Sequence, residues 1–186
     1  EDHQKALPLL KESLEIKRTI LGDNHPDLIQ SYSNVGSAYF NLKDYVNAEK
    51  FMIASLDVGL KNYDGDNINL SRTYMWYGRV LDGMKNFKKS VYYQEKSYLI
   101  RKRELGQKNK LTLSCQSLLG ETYLHSGNYS KAEHHLIESY NGLKEISGNE
   151  NEATQKTLVS LIELYKKLNK KDMANNYTKL ITEKKN

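Results

Sequence analysis

Two adjacent histidines and a single cysteine are the side chains of this sequence best suited to chemistry. His134 and His135 fall in a stretch with helical periodicity, where neighbouring side chains point about 100° apart. They therefore cannot share one metal ion, and we interpret both as surface histidines. Cys115 lies in an apolar run between Leu113 and Leu119, which predicts a small core residue rather than a nucleophile.

One acidic loop, Asp64-Gly-Asp-Asn67, has the residue types of a calcium site. It lacks the twelve-residue spacing and the terminal glutamate of an EF-hand, so we interpret it as a turn followed by a helix cap. The sequence also lacks a glycine-rich phosphate loop, a nucleophile elbow and a zinc-protease motif. It therefore predicts no catalytic residue, no metal site and no cofactor, and we expect that this chain is not an enzyme.

The composition excludes several further classes of protein. The hydrophobic fraction is 38%, below the value of about 45–50% that is typical of globular domains, and no apolar run approaches the roughly 18 residues of a membrane span. A single cysteine excludes an internal disulfide framework and is typical of a reducing compartment. We therefore expect a cytoplasmic location and no membrane partner.

The basic residues of the sequence concentrate in one segment. Arg101, Lys102 and Arg103 follow Lys88, Lys89 and Lys96 on a stretch with helical periodicity. We interpret this cluster as a solvated outer helix face, with a nucleic-acid or acidic-partner site as the alternative. The net charge of +5 is small for 186 residues, so nucleic acid is not the partner that we expect.

The strongest pattern in the sequence is a period of 42 residues. Small residues recur at this interval at several independent positions. The repeated positions are Gly36, Gly78 and Gly120; Ser13, Ser55, Ser97 and Ser139; and Ala6, Ala48, Ala132 and Ala174, with Ser90 at the missing place. A fixed period between 20 and 50 residues is typical of a solenoid built from stacked repeats.

Each period contains two helical stretches, because apolar residues recur at spacings of three and four. A residue that can cap a helix precedes each stretch. The predicted caps are Asp2, Asp44, Asn86 and Asn128 in one series, and His25, Asn67, Asn109 and Asn151 in the other. We expect Pro26 at the first helical position after His25.

These boundaries predict one array over residues 1–186. Residues 1–22 would form the second helix of an incomplete repeat, and full repeats would occupy 23–64, 65–106 and 107–148. Residues 149–186 are rich in lysine and asparagine and would form a capping repeat, since nothing stacks on the last repeat of a solenoid. The pattern begins in the middle of a unit, so we expect a piece of a longer protein whose array ends near Asn186.

The pattern resembles the tetratricopeptide repeat, in the 42-residue variety of kinesin light chain. The signature places a small residue in the first helix, an aromatic residue three positions later, and then an aromatic residue and an alanine at the start of the second helix. Here these residues are Gly36, Tyr39, Tyr45 and Ala48, and the stretch Leu21-Gly-Asp-Asn-His-Pro-Asp27 resembles the same subfamily. The resemblance implies an all-α fold, a right-handed superhelical solenoid of antiparallel helix hairpins whose first helices line a concave groove.

By this resemblance, a ligand would contact polar residues on the inner face of the first helices. Asparagine can donate to and accept from a peptide backbone, and a pair of arginines can bind carboxylates. The candidate peptide-binding residues are Asn34, Ser37, Asn41, Arg72, Arg79, Asp82, Glu121 and His125. Asn34 and Arg72 resemble part of a carboxylate clamp, so we expect an acidic or mixed-charge peptide with its negative part near the arginines.

The function that these features favour is a protein-interaction scaffold that binds a peptide or a partner protein. The alternative is a regulatory or peptide-sensing module of a larger signalling protein or enzyme, with the catalytic domain elsewhere in the polypeptide. Residues 3–21 have an apolar face without a predicted partner helix, which includes Leu9 and Ile16. That face offers a surface for a dimer.

Overall fold

The computed structural model describes residues 2–182, which form nine α-helices and contain no strand. The helices are α1 (His3–Leu21), α2 (Asp27–Asn41), α3 (Tyr45–Asn62), α4 (Ile68–Gly83), α5 (Phe87–Leu105), α6 (Lys110–His125), α7 (Tyr129–Ser147), α8 (Glu152–Lys167) and α9 (Lys171–Thr182). The prediction of an all-α helical repeat fold is confirmed. Among the described helices, none combines the length and the apolar character that a membrane span requires.

The chain divides into two compact units, residues 1–100 and residues 101–186. In the first unit, α2 packs between α1 and α3, and α4 lies against both α2 and α3. In the second unit, α7 packs between α6 and α8, α9 packs on α8, and α6 also contacts α8. Each unit therefore places the first helices of two successive hairpins side by side, α2 with α4 and α6 with α8.

Side-chain caps fix where most helices begin. The carboxylate of Asp44 accepts a hydrogen bond from the backbone N–H of Asn47, three residues on. The other first-turn caps are Asp2, Asn67, Asn109, Asn128 and Asn151. The helix α2 spans Asp27–Asn41, and Pro26, the expected first helical residue, already has helical dihedral angles of φ −56° and ψ −32°. His25 still contributes, since its Nδ1 accepts from the N–H of Asp27 at 3.2 Å.

The turn inside each hairpin uses one left-handed residue. Lys43, Lys85, Gly127 and Asn169 have φ angles of 63°, 61°, 80° and 57°, and they lie one period apart. The following residue donates its N–H back into the preceding helix, as Asp44 does to the carbonyl of Tyr39 at 3.0 Å. This bond is the helix-ending motif that satisfies free carbonyls at a C-terminus. It reverses the chain in three residues and sets the two helices of a hairpin against each other.

Glycines in the first helices let the second helices approach closely. A Cβ on Gly120 would lie 2.8 Å from Cγ of Leu136, and one on Gly36 would lie 2.6 Å from Cε of Met52. The repeated alanines at Ala48 and Ala132 are fully buried, as the pattern requires, but larger side chains one turn later make the closest contacts.

Candidate functional site

A cleft runs between α2 and α4 in the first unit. It has a volume of about 220 Å³ and combines polar and apolar side chains. Its lining consists of Pro26, Asp27, Ile29, Gln30, Ser33, Tyr63, Asn69, Arg72 and Thr73. Arg72 is exposed, and its Nη2 donates to Oδ1 of Asn34 at 2.9 Å. Two of the predicted ligand-binding residues, one from each helix, are therefore in direct contact across this surface.

Three buried hydroxyl groups form the floor beneath that contact. Ser33 of α2, Ser55 of α3 and Thr73 of α4 lie within 2.9 to 3.0 Å of one another. Ser55 also donates to the backbone carbonyl of Ile29 at 2.8 Å. The cluster joins three helices through side chains that are no more than 1% exposed. It fixes the spacing of α2 and α4 and thereby the separation of Asn34 from Arg72.

Arg79 is held by aromatic rings instead of by an amide. Its Cζ lies 4.3 Å from the ring centroid of Trp76 and 4.6 Å from that of Phe40. The two rings are themselves 5.8 Å apart in an edge-on arrangement. A guanidinium within about 6 Å of a ring face is attracted by the ring quadrupole. The half-buried Arg79 side chain is thus restrained in a corner between α2 and α4.

The remaining predicted residues of this unit differ in their surroundings. Ser37 is half-buried and donates to the carbonyl of Asn34 in its own helix at 2.9 Å, so its hydroxyl hydrogen is already used. Asn41 is exposed at the end of α2, and Asp82 is half-buried near the end of α4. The structure brings Asn34 and Arg72 together but shows no direct contact of Asn41 with either of them.

A second cleft lies between α6 and α8 in the other unit. Its volume is about 260 Å³, and its lining consists of Glu121, Leu124, His125, Lys156, Val159, Ser160 and Glu163. Ser160 donates to Oε1 of Glu121 at 2.7 Å, which joins the two helices. Below it, Ser117 and Thr157 are hydrogen-bonded at 2.7 Å, as Ser33 and Thr73 are in the first unit. Both predicted residues of this unit, Glu121 and His125, therefore line the same surface.

The two clefts differ in charge because the repeated positions carry different residues. Ser37, Arg79, Glu121 and Glu163 occupy one position of the 42-residue period, and Gln30, Arg72, Ser114 and Lys156 occupy another. The lining of the first cleft includes one cation, Arg72, and one carboxylate, Asp27. The second contains two carboxylates and Lys156, whose ammonium pairs with Glu152 at 2.6 Å.

Two interpretations from the sequence need correction. His135 is half-buried and stacks on Tyr123, with ring centroids 5.6 Å apart, so of these two neighbours His134 alone is exposed. Arg101 is 6% exposed and donates to the carbonyl of Leu111, so it does not belong to a solvated basic face. Arg101 of the predicted basic cluster is therefore buried, which weakens the alternative that this cluster binds nucleic acid.

The structure places Cys115 and the acidic loop as the sequence predicted. Cys115 is fully buried. The loop at residues 64–67 is a turn, in which the N–H of Asn67 donates to the carbonyl of Asp64 at 2.9 Å. Within residues 2–182, no group of three or more histidine, cysteine, aspartate or glutamate side chains is arranged to hold a metal ion.

The aromatic residues beside Arg79 were missed by the sequence reasoning. Trp76 occupies the same position of the period as Asn34, which the sequence did select. Its place three residues before Arg79 also puts both side chains on one face of α4. Either signal could have identified it.

Comparison with known proteins supports the interpretation of the repeats. A profile of the tetratricopeptide repeat matches residues 1–50, 27–103 and 69–145. Among curated proteins, the clustered mitochondria protein homologs of Culex quinquefasciatus and Homo sapiens are 25% and 22% identical over 114 residues. The match covers 61% of this chain but only 8% and 9% of those proteins. The chain therefore spans less than a tenth of the length of these two curated relatives.

Solved structures of similar fold include two of the kinesin light chain type. BtubC (BKLC) of P. vanneervenii has a TM-score of 0.81 at 16% identity, covering 98% of this chain and 74% of that one. The nearly identical repeats of a protein described as a kinesin light chain from Podosopora anserina have a TM-score of 0.79 at 16% identity. That match covers 97% of this chain and 85% of the other. The apo form of RapI has a TM-score of 0.71 at 18% identity, and the match covers 95% of this chain and 47% of RapI. With the profile matching well over half of its residues, the chain belongs to the tetratricopeptide repeat family.

Proposed function

We propose that this chain is a protein-interaction scaffold that binds an extended peptide segment on the exposed faces of its first helices. The observation that carries the proposal is the α2/α4 surface, where Arg72 is held by Asn34 and Arg79 by two aromatic rings. Both cations are restrained before a ligand arrives, so less side-chain entropy is lost when a carboxylate binds. Tetratricopeptide repeats are generally scaffolds without catalytic activity, in keeping with a role in binding.

The charge of the two clefts supports a ligand that is acidic in one part. Arg72 and Arg79 favour carboxylates in the first unit, since a guanidinium can donate two parallel hydrogen bonds to a carboxylate. Glu121 and Glu163 favour a basic group in the second unit. The peptide-binding residues of the proposal remain Asn34, Ser37, Asn41, Arg72, Arg79, Asp82, Glu121 and His125. The reduced state expected of the buried Cys115 accords with a cytoplasmic location.

A library of peptides screened on the intact chain tests this proposal. We expect enriched peptides to share an acidic segment and to lose binding by at least tenfold in the double variant Arg72→Glu/Arg79→Glu. The matched control is Lys88→Glu/Lys89→Glu, which makes the same change of net charge at two exposed residues of α5. Circular dichroism of each variant would show that the helices remain folded. Equal binding by both double variants would refute the assignment of the α2/α4 surface.

A second candidate function is a peptide-sensing or regulatory module within a larger signalling protein or enzyme. The observation that favours it is the small share of the curated relatives that this chain spans. Small-angle scattering with and without an enriched peptide distinguishes the two functions. A sensor changes its radius of gyration on binding, whereas a passive scaffold does not. Pairing of two copies through α1 is a further proposal and concerns a different helix.

A further inference from the structure

The outward row of α3 is an apolar stripe on the surface of the first unit. Val46, Ile53 and Leu60 are 73%, 42% and 53% exposed. They follow one another at intervals of seven residues, so they lie in line over about 21 Å of the helix. α3 packs on α2 and α4 through its buried residues, which include Met52 and Leu56, and leaves this row uncovered.

The repeat itself does not require apolar residues in this row. Other second helices carry polar side chains at most of the equivalent positions. The equivalents are Gln4, Lys11 and Arg18 in α1, Lys88, Glu95 and Lys102 in α5, and Ser130, Ile137 and Lys144 in α7. Eight of these nine residues are polar, so the hairpin folds without an apolar residue there. Single exposed apolar residues are common, but three in line that the fold does not need mark an interaction surface.

Charged residues alternate with the apolar ones along the row. Lys50 lies between Val46 and Ile53, and Asp57 lies between Ile53 and Leu60. The row therefore advances by four and three residues in turn, which is the heptad spacing that keeps one stripe of a helix against a partner helix. A polar residue within such a seam fixes the register of the partner. The charges of the row therefore indicate what kind of helix it accepts.

Three charged residues of this segment are already used within the chain. The carboxylate of Asp44 caps α3. Glu49 accepts a hydrogen bond from the hydroxyl of Tyr77 at 3.2 Å. Lys61 donates to Oδ1 of Asn24 at 2.8 Å, although it lies only one turn after Asp57. None of these three side chains is therefore available to the row.

The other four charged residues between positions 43 and 64 are exposed. Within residues 2–182 their side chains form no hydrogen bond or ion pair. In chain order they are Lys43, Lys50, Asp57 and Asp64. Two cations thus precede two anions at intervals of seven residues, the outer two just beyond the ends of α3. The row has a positive half and a negative half, with apolar residues between the charges.

This order is complementary to itself when two copies of α3 run antiparallel. About a two-fold axis near Ile53, Val46 of one copy faces Leu60 of the other, and Ile53 faces its own equivalent. Lys50 then lies beside Asp57 of the other copy, because the two positions are centred within one residue of the same point. The outer charges, at positions 43 and 64, are centred there as well. A parallel two-fold pair would instead set like charges side by side, which is unfavourable.

The same charges argue against other occupants of the row. Two cations and two anions leave it without net charge, so it does not attract an anionic membrane or a nucleic acid. A partner helix must present apolar residues at seven-residue spacing and the opposite order of charges. The chain itself supplies such a helix, and a two-fold interface between identical patches is the commonest way in which soluble proteins pair.

We propose that two copies of this chain pair antiparallel through the outward row of α3, formed by Val46, Lys50, Ile53, Asp57 and Leu60. One helix contributes a small interface, so the dimer dissociates on dilution, with a dissociation constant on the order of 10 μM. The row lies on a second helix, whereas the proposed peptide surface lies on α2 and α4. Pairing is therefore independent of peptide binding.

Sedimentation equilibrium of the intact chain between about 2 and 200 μM tests the pairing. We expect the average mass to rise with concentration from 21.5 kDa towards twice that value. Ile53→Lys should hold the protein near the monomer mass throughout that range. The control is Ile146→Lys on α7, which makes the same change at a residue of matching exposure, 43% against 42%, and should leave the dimer intact. Both variants should keep the wild-type circular dichroism spectrum.

Charge reversal tests the antiparallel register. Lys50→Asp and Asp57→Lys each place like charges opposite each other twice in a dimer, so each variant alone should pair at least about tenfold more weakly. In an equimolar mixture of the two variants, every facing pair is again of opposite charge. The mixture should therefore pair about as tightly as the wild type. Two weakened variants that fail to pair with each other would refute the antiparallel register.

Several results would overturn the proposal as a whole. One is a monomer at every concentration, and another is a dimer that Ile53→Lys does not weaken. A dimer that is lost in Ile16→Lys but kept in Ile53→Lys would place the contact on α1 instead. If the chain stays monomeric and binds vesicles of phosphatidylserine and phosphatidylcholine in a manner that Ile53→Lys abolishes, the row serves a lipid surface and self-pairing is refuted.

Discussion

One series of serines tests how equivalent positions of the repeat differ in their contacts. Ser13, Ser55, Ser97 and Ser139 occupy the same position of the 42-residue period, and Ser13, Ser55 and Ser139 differ in their surroundings. Ser13 is exposed, while the hydroxyl of Ser139 is buried and donates only to its own helix, at the carbonyl of Leu136. Ser55 instead joins three helices. Replacement by alanine should therefore have a different effect at Ser13, Ser55 and Ser139.

The magnitude for Ser55→Ala follows from the hydrogen bonds that are lost. Ser33 and Thr73 can still bond each other, but one buried hydroxyl loses its acceptor, which costs about 1–3 kcal/mol. Alanine is favoured over serine within a helix by about 0.5 kcal/mol, which offsets part of that cost. We expect a net loss of about 1–2 kcal/mol for Ser55→Ala. Ser13→Ala should gain up to about 0.5 kcal/mol and Ser139→Ala should lie near zero.

Urea unfolding measures these differences. The single tryptophan, Trp76, reports on the unit that contains Ser55, and circular dichroism at 222 nm reports on all helices. A loss of 1–2 kcal/mol corresponds to a drop in melting temperature of about 2–8 °C for a chain of this size. A double-mutant cycle with Ser33→Ala should show a coupling of at least about 0.5 kcal/mol. Equal losses for Ser55→Ala and Ser139→Ala would refute the idea that the hydroxyl cluster joins α2, α3 and α4.

Two further predictions concern packing and pH. Gly120→Ala should destabilise by about 1–2 kcal/mol more than Gly36→Ala in urea, because the added methyl meets the branched carbon Cγ of Leu136 and not the terminal Cε of the unbranched Met52. Burial and the Glu133 carboxylate raise the pKa of Tyr165 above its ordinary value of about 10. The folded chain therefore holds this proton more tightly than the unfolded chain, and stability should fall as pH rises above 10. Tyr165→Phe should lessen that fall in alkaline melts.

The sequence predicted the repeat architecture well because the repeat is a local pattern. Helix periodicity, cap residues and small residues at fixed spacing all lie within one period, and the helices begin where Asp44, Asn67, Asn109 and Asn151 were expected to cap them. At the start of α2, the ring nitrogen of His25 accepts from the N–H of Asp27, and Pro26 between them has helical dihedral angles.

Burial by a neighbouring helix was harder to predict. His135 and Arg101 are polar residues that the sequence placed on the surface, yet each lies against another helix. The 42-residue period does carry a signal for His135, because its equivalents are the aromatic residues Phe51, Tyr93 and Tyr177. For Arg101 the equivalents are Lys17, Gly59 and Leu143, which share no residue type, so the period does not predict that its guanidinium reaches the carbonyl of Leu111.

The positions that break the period are the ones best placed to determine what this chain binds. Residues that keep their type from repeat to repeat, such as Gly36 and Ala48, build the contacts between helices and cannot distinguish one ligand from another. On the exposed faces of the first helices the residue type changes from repeat to repeat. Asn34 is replaced by Trp76 and Ser37 by Arg79 one period later. Those two changes together create the aromatic corner that restrains a cation. Specificity in this array should therefore be altered by exchanging face residues between repeats while the helix contacts stay unchanged.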